Sequence, residues 1–220
     1  MKKFILTLLS IILSIFTVFC GVGCKKTSYL LPYVSELRAD IFEGTFSHYT
    51  LKAYYGYKEN PYVNDGKVGN YSPELTFTLK GAETEETTFT LEVLDYQEVL
   101  KFEKSPNGNL VTRLNVENFD KKEFTVALGY SSEKVQITLC SIVPEGTLSA
   151  NEVLIAIEQN QKNLINSFSV NGGFEGEIYA RIIIKNQKAY WYIAFANGKT
   201  LKAFLVDGIS GEVLAIREVI

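Results

Sequence analysis

The sequence predicts an α+β protein in two parts: an antiparallel β-sandwich-like domain, then a small unit of one helix and a four-stranded antiparallel sheet. Three observations carry this. Seven short runs before Pro144 alternate apolar and polar residues with period two, the mark of half-buried strands. After Gly146 the period changes to that of a helix, behind the helix-start signal Ser149-Ala150-Asn151-Glu152. Four further short runs, separated by Asn, Asp and Gly turns, complete the chain. The expected boundaries are a leader over 1–23, a tether over 24–35, the sandwich over 36–144 and the helix-plus-sheet unit over 145–220.

The leader has a positive start, Met1-Lys2-Lys3, and an almost wholly apolar run from Phe4 to Phe19, with no further charge before Lys25. That is the layout of an export signal. Its end, "FCGVGCKK", resembles the lipobox of bacterial lipoproteins, in which a small residue precedes a cysteine that is lipidated and becomes the first mature residue. Gly23 before Cys24 fits a peptidase pocket for small side chains, whereas Phe19 before Cys20 does not. Gly21 and Val22 depart from the usual branched and small residues of the pattern. The resemblance implies lipid attachment at Cys24, on the extracytoplasmic face of the cell membrane. A second reading stands beside it: Phe4 to Gly23 is long enough, at ~1.5 Å per residue, to cross a ~30 Å hydrocarbon core as an uncleaved anchor. Simple secretion is the third.

Without residues 1–23 the chain loses Lys2 and Lys3 and no acid, so 20 basic residues face 25 acidic ones and net charge moves from −3 to −5. No basic face for nucleic acid is indicated. With Cys24 acylated, Cys140 stands alone, so no intramolecular disulfide is expected and stability must come from a core. About 197 residues suffice for one large or two small domains.

The strands of the first part are expected over 48–58, 74–80, 87–94, 99–104, 110–116, 124–128 and 135–139. Leu75, Phe77 and Leu79 share one face, as do Phe89, Leu91 and Val93. Turn residues separate the runs, including Lys80-Gly81, Pro106-Asn107-Gly108-Asn109 and Ser131-Ser132. In the second part Val153, Leu154, Ile157, Leu164, Ile165 and Phe168 draw one helical stripe, and Asn171-Gly172-Gly173 ends it. Strands follow at 178–184, 190–195, 201–206 and 213–219, and the helix is expected to lie across one face of their sheet.

Residues 190–219, "YWYIAFANGKTLKAFLVDGISGEVLAIREV", resemble the C-terminal half of the PepSY family through Val206, Asp207, Gly211, Glu212 and Val213. A helix with an early Glu upstream, as at Leu148 to Ile157, agrees. The resemblance implies a peptidase regulator or inhibitor, or an envelope interaction module. On the residues themselves, Asp207 is suited to bind turn amides and Gly211 to take positive φ.

No catalytic constellation is legible. The single histidine, His48, reads as a surface or edge residue of a strand, and Cys140 as a small strand residue. Zinc ligands are too few, and Glu83, Glu85 and Glu86 follow no calcium-loop pattern. No cofactor is expected. Six of the thirteen tyrosines fall between residues 49 and 71, a density that reads first as cross-strand packing and second as a surface for sugars, peptides or proteins. Candidate binding residues are Tyr54, Tyr55, Tyr57, Tyr62 and, in the C-terminal sheet, Trp191.

The leading expectation is a surface-tethered, non-enzymatic lipoprotein, held to the membrane through covalent lipid. It would bind an envelope protein, a peptidase or a cell-wall component. The alternative is a regulator of an exported peptidase working through the PepSY-like unit. An enzyme with an unrecognised site would instead show a deep pocket of carboxylates or Ser/His groups with perturbed pKa values.

Overall fold

One strand organises the molecule, and the sequence pattern does not announce it. β1 (Val34–Phe46) is thirteen residues long and forms hydrogen bonds with three other strands. The computed structural model describes residues 26–63, 65–81, 88–130, 133–198 and 200–219. Cys20, Cys24 and the rest of the leader, the acids Glu83, Glu85 and Glu86, and the Ser131-Ser132 turn lie outside the described residues.

Along one edge β1 forms a hairpin with β2 (Tyr49–Glu59), which pairs with β3 (Tyr71–Lys80), then β7 (Leu110–Asn115) and β6 (Glu103–Lys104). The other edge is shared. Its N-terminal half runs parallel to β12 (Glu177–Lys185), with Val34 opposite Ile178 and Arg38 opposite Arg181. Its C-terminal half pairs antiparallel with β9 (Glu133–Ser141) through Phe42 and Glu43. From β9 the sheet continues to β8 (Glu123–Tyr130), β4 (Phe89–Val93) and β5 (Glu98–Lys101). From β12 it continues antiparallel to β13 (Lys188–Ala196), β14 (Leu201–Asp207) and β15 (Val213–Val219). The result is a single 13-stranded sheet that forks at β1.

This corrects the expected α+β division. The protein is mostly β, and its C-terminal strands do not make a separate helix-plus-four-stranded unit. They are the continuation, across the β1–β12 pairing, of the same sheet that builds the first part. Strands β2 to β9 and β12 to β15 fall close to the expected runs. The overlooked β1 is what fuses them.

Two cores result. One limb curls around Phe42, Leu51, Phe77, Leu91, Leu128 and Leu139, all nearly inaccessible. The other limb carries α1 (Ala150–Asn160) and the short α2 (Lys162–Asn166) against its inner face. The Ser149 hydroxyl accepts from the Glu152 amide and the Glu152 carboxylate accepts from the Ser149 amide, so the expected capping box forms. Val153, Leu154 and Ile157 then face Ile193, Phe195, Phe204 and Val206, each helix residue being fully buried. Burial of such a side chain is worth roughly 1.5–3 kcal/mol. The stripe resumes in α2 at Ile165. Asn171 and Gly172 turn the tight hairpin between β10 (Ser169–Val170) and β11 (Gly173–Phe174), both at positive φ.

β1 bends where its register shifts between Arg38 and Asp40. Opposite the bulge sits Gly56, whose added Cβ would stand 1.9 Å from the Leu37 carbonyl oxygen. Glycine alone permits the two backbones to close there.

Upstream of β1, Lys26, Ser28 and Leu30 are hydrogen-bonded to Asn151 and Glu158 of α1. Leu30 is fully buried and joins the α1-side core, and Tyr33 meets Phe174 edge-on at 4.9 Å.

Candidate functional site

The parallel β1–β12 pairing sets Glu36 opposite Tyr179 and Arg38 opposite Arg181, so these four side chains share the sheet face turned away from α1. Glu36 is only 2% exposed. A carboxylate that deep needs a cation, and Arg181 supplies a fork, Nε donating at 2.8 Å and Nη2 to the second oxygen. Arg38 Nη2 adds a contact at 3.3 Å. Burial pulls the Arg181 guanidinium down, but the Glu36 carboxylate more than offsets this and holds it above its ordinary range.

The segment between β2 and β3 folds over the same face. Tyr62 rests 5.6 Å from the Tyr179 ring, and the Lys58 ammonium sits 3.8 Å over the Tyr62 ring. Beneath this cover are two buried carboxyls. Glu59 accepts from the Gly69 amide at 2.6 Å, and Glu177 accepts from the Gly66 amide at 3.4 Å. The second oxygen of each, and the Tyr179 hydroxyl, have no hydrogen-bond partner among the described residues. Burial pushes the Glu59 carboxyl up, and neighbouring Glu177 pushes the same way, while the Gly69 amide pulls it down. Burial likewise drives the Tyr179 phenol far above its usual value, reinforced by Tyr62 and Glu177.

The tyrosines named from the sequence are divided by the structure. Tyr54 lies on the outer face with the Arg38 guanidinium 5.1 Å from its ring. Tyr62 is 41% exposed. Tyr57 stacks on Tyr71 at 4.2 Å, and burial with Tyr71 beside it raises its phenol to about 12. Tyr71 itself is 48% exposed. Tyr55 shares the inward face of β2 with Tyr57, and packs on Phe119 while its hydroxyl donates to the Glu117 carbonyl at 3.1 Å. Trp191 is buried in the α1-side core, its Nε1 donating to the Leu148 carbonyl at 2.9 Å. Both are occupied structurally. Cys24 lies outside the described residues.

The remaining expectations resolve simply. His48 is at the β1–β2 turn, with its ring against Tyr49. Cys140 is an exposed thiol on β9. Asp207 accepts from the Ile209 and Ser210 amides at 2.9 and 2.8 Å, which holds its carboxyl below the ordinary range. Gly211 takes φ +73°. These residues shape a turn. Among the described residues no group of three His, Cys, Asp or Glu is placed to hold a metal, and no helix is long and apolar enough to cross a membrane.

A groove of about 1070 Å³ runs where α1, the Ile142 to Ser149 connection and β1 meet, with Leu37, Asp40, Lys122, Cys140, Leu148 and Trp191 on its walls. Burial raises the Asp40 carboxyl, against the pull of Lys122.

The buried charges were missed in the sequence. Arg181 within Ile178 to Ile184 was the available signal, because a guanidinium inside an otherwise apolar strand requires a partner. That the partner is Glu36, 145 residues earlier, depends on the parallel pairing.

No family model matches the chain, and no curated protein and no solved structure is significantly similar to it.

Proposed function

We propose that this chain is a surface-tethered, non-enzymatic lipoprotein that works as a binding module in the cell envelope, anchored through Cys24. The observation that carries the reading is a group of exposed aromatic rings, with a lysine beside one of them, around the β2–β3 connection. Tyr62 and Tyr71 are more than two-fifths exposed, with Lys58 over the first and Tyr57 stacked beneath the second. Flat rings already held by packing present contact area at low entropic cost, and an adjoining ammonium adds selectivity for anionic or hydroxylated groups.

The buried carboxyls favour the same reading over an enzyme. The unpartnered oxygens of Glu59 and Glu177 are closed off beneath the Tyr62 segment. A general acid or base must come within hydrogen-bond reach of a substrate. The peptidase-regulator alternative draws on the motif at Val206 to Val213, where Asp207 and Gly211 serve the turn.

Crosslinking and capture from intact envelopes tests this. The native protein is expected to retain a specific protein or cell-wall fragment, and Tyr62→Ala/Tyr71→Ala to lose it while remaining folded. Equal capture by the variant would show that these rings do not bind the partner. Metabolic labelling with a fatty-acid analogue tests the anchor, and label retained by Cys24→Ala would refute the attachment site.

A further inference from the structure

We infer that the surface around Lys26, Tyr29 and Lys162 is a membrane-docking face, on which the protein lies in one fixed orientation against phospholipid headgroups. The inference rests on the anchor reading above and adds to it the face that meets the lipid.

The first described residues are fastened to α1. The Asn151 side chain holds both ends of a short stretch: its Nδ2 donates to the Lys26 carbonyl at 3.0 Å and its Oδ1 accepts from the Ser28 amide at 2.9 Å. The Ser28 hydroxyl donates to Glu158, and the Leu30 amide reaches the Ser28 oxygen at 3.1 Å. Ser28 is 2% exposed and Leu30 fully buried. Lys26 therefore has a set position on the body.

Cys24 is two residues from Lys26, a span of at most about 7 Å even when fully extended. An acyl anchor at Cys24 places the glyceryl group at the membrane interface. No slack remains to lift the body away, so whatever surrounds Lys26 meets headgroups. An uncleaved span ending at Gly23 would impose nearly the same constraint.

The surroundings suit that position. Beside the fastened stretch is a cavity of about 400 Å³ bordered by Lys26, Tyr29, Glu158, Gln159, Lys162 and Asn166. Lys26 and Lys162 are exposed cations able to meet lipid phosphates. Tyr29 is 57% exposed, and a phenol with an apolar ring is a residue of the membrane–water interface. The single acid, Glu158, is engaged by Ser28 and Leu30. The chemistry is that of a zwitterionic or anionic phosphate headgroup.

The test uses the full lipidated protein in vesicles of phosphatidylethanolamine and phosphatidylglycerol carrying a headgroup-spin-labelled phosphatidylcholine. Cys20 and Cys140 are changed to Ser, and one fluorophore is placed by Tyr29→Cys, Lys162→Cys or, in β5 on the other limb, Val99→Cys. All three sites are exposed. Flotation with the vesicles reports the anchor, and loss of fluorescence reports contact with headgroups. The expected result is flotation, with strong quenching at 29 and 162 and little at 99. Flotation with equal quenching at all three sites would overturn the docking face and leave the anchor standing. Failure to float would overturn the anchor and the docking face together. Should Tyr29→Cys not fold, the comparison of Lys162→Cys with Val99→Cys decides alone.

Discussion

Replacing Arg181 by Ala probes the joint of the forked sheet. The Glu36 side chain is 3% exposed, and the change leaves it with Arg38 Nη2 at 3.3 Å, a contact from a side chain 43% exposed. Removing one partner of a buried pair costs about 3–5 kcal/mol, because the survivor keeps its desolvation penalty. Arg181 is itself 35% exposed and Arg38 persists, which places the expected loss near the lower end. About 3 kcal/mol corresponds to a roughly 150-fold drop in the folding constant. Trp191 offers a convenient probe: it is the only tryptophan, it is 1% exposed, and it lies on β13 opposite Ile182 of β12. Urea unfolding followed by its fluorescence should show the midpoint falling with an unchanged slope. The double change Glu36→Leu/Arg181→Met removes both charges and should return to within about 1 kcal/mol of the native protein. A loss below about 1 kcal/mol for Arg181→Ala, or a double variant no better than the single, would show that the backbone pairing holds the joint without the ion pair.

Three further outcomes follow from the same geometry. The Glu59 carboxyl is raised in the fold, so its favourable contribution is complete below the unfolded carboxyl range and is lost as pH rises through the folded value. The urea midpoint should therefore fall as pH rises above the ordinary carboxylate range, and fall less in Glu59→Gln; parallel curves would exclude the Glu59 carboxyl as the cause. Gly56→Ala forces a methyl to 1.9 Å from the Leu37 carbonyl, and thermal unfolding should show a loss of at least about 3 kcal/mol; a melt like the native one would mean that β1 and β2 have room to part. Residues 145–220 expressed alone leave the β12 edge without β1 and the α1-side core without Leu30 and Val34. Circular dichroism should show no cooperative transition, and a sharp melt would make β1 dispensable to that limb.

Most elements were legible because their cause is local. Leu75, Phe77 and Leu79 alternate since β3 has one buried face, and that alternation is written in the chain. Ser149 and Glu152 cap α1 within a single turn. The tyrosine density between 49 and 71 contains the exposed rings but does not give their division: Tyr62 and Tyr71 reach solvent while Tyr55 packs on Phe119.

β1 escaped for a physical reason. Val34, Ser35 and Glu36 are buried in succession, and the bulge after Arg38 shifts the alternation, so no period of two survives. Its charges at 36, 38 and 40 read as loop until Arg181 arrives from β12 to neutralise Glu36. The sequence by itself determined the strands other than β1 and the helix start, since each depends on residues a few positions apart. Only the tertiary structure decided that two apparent domains share one sheet, that Trp191 is core, and that residues 26–30 are fastened to α1. The first and last depend on partners more than a hundred residues away, and Trp191 on Leu148, 43 residues earlier; no local pattern encodes which distant group or strand edge will meet them.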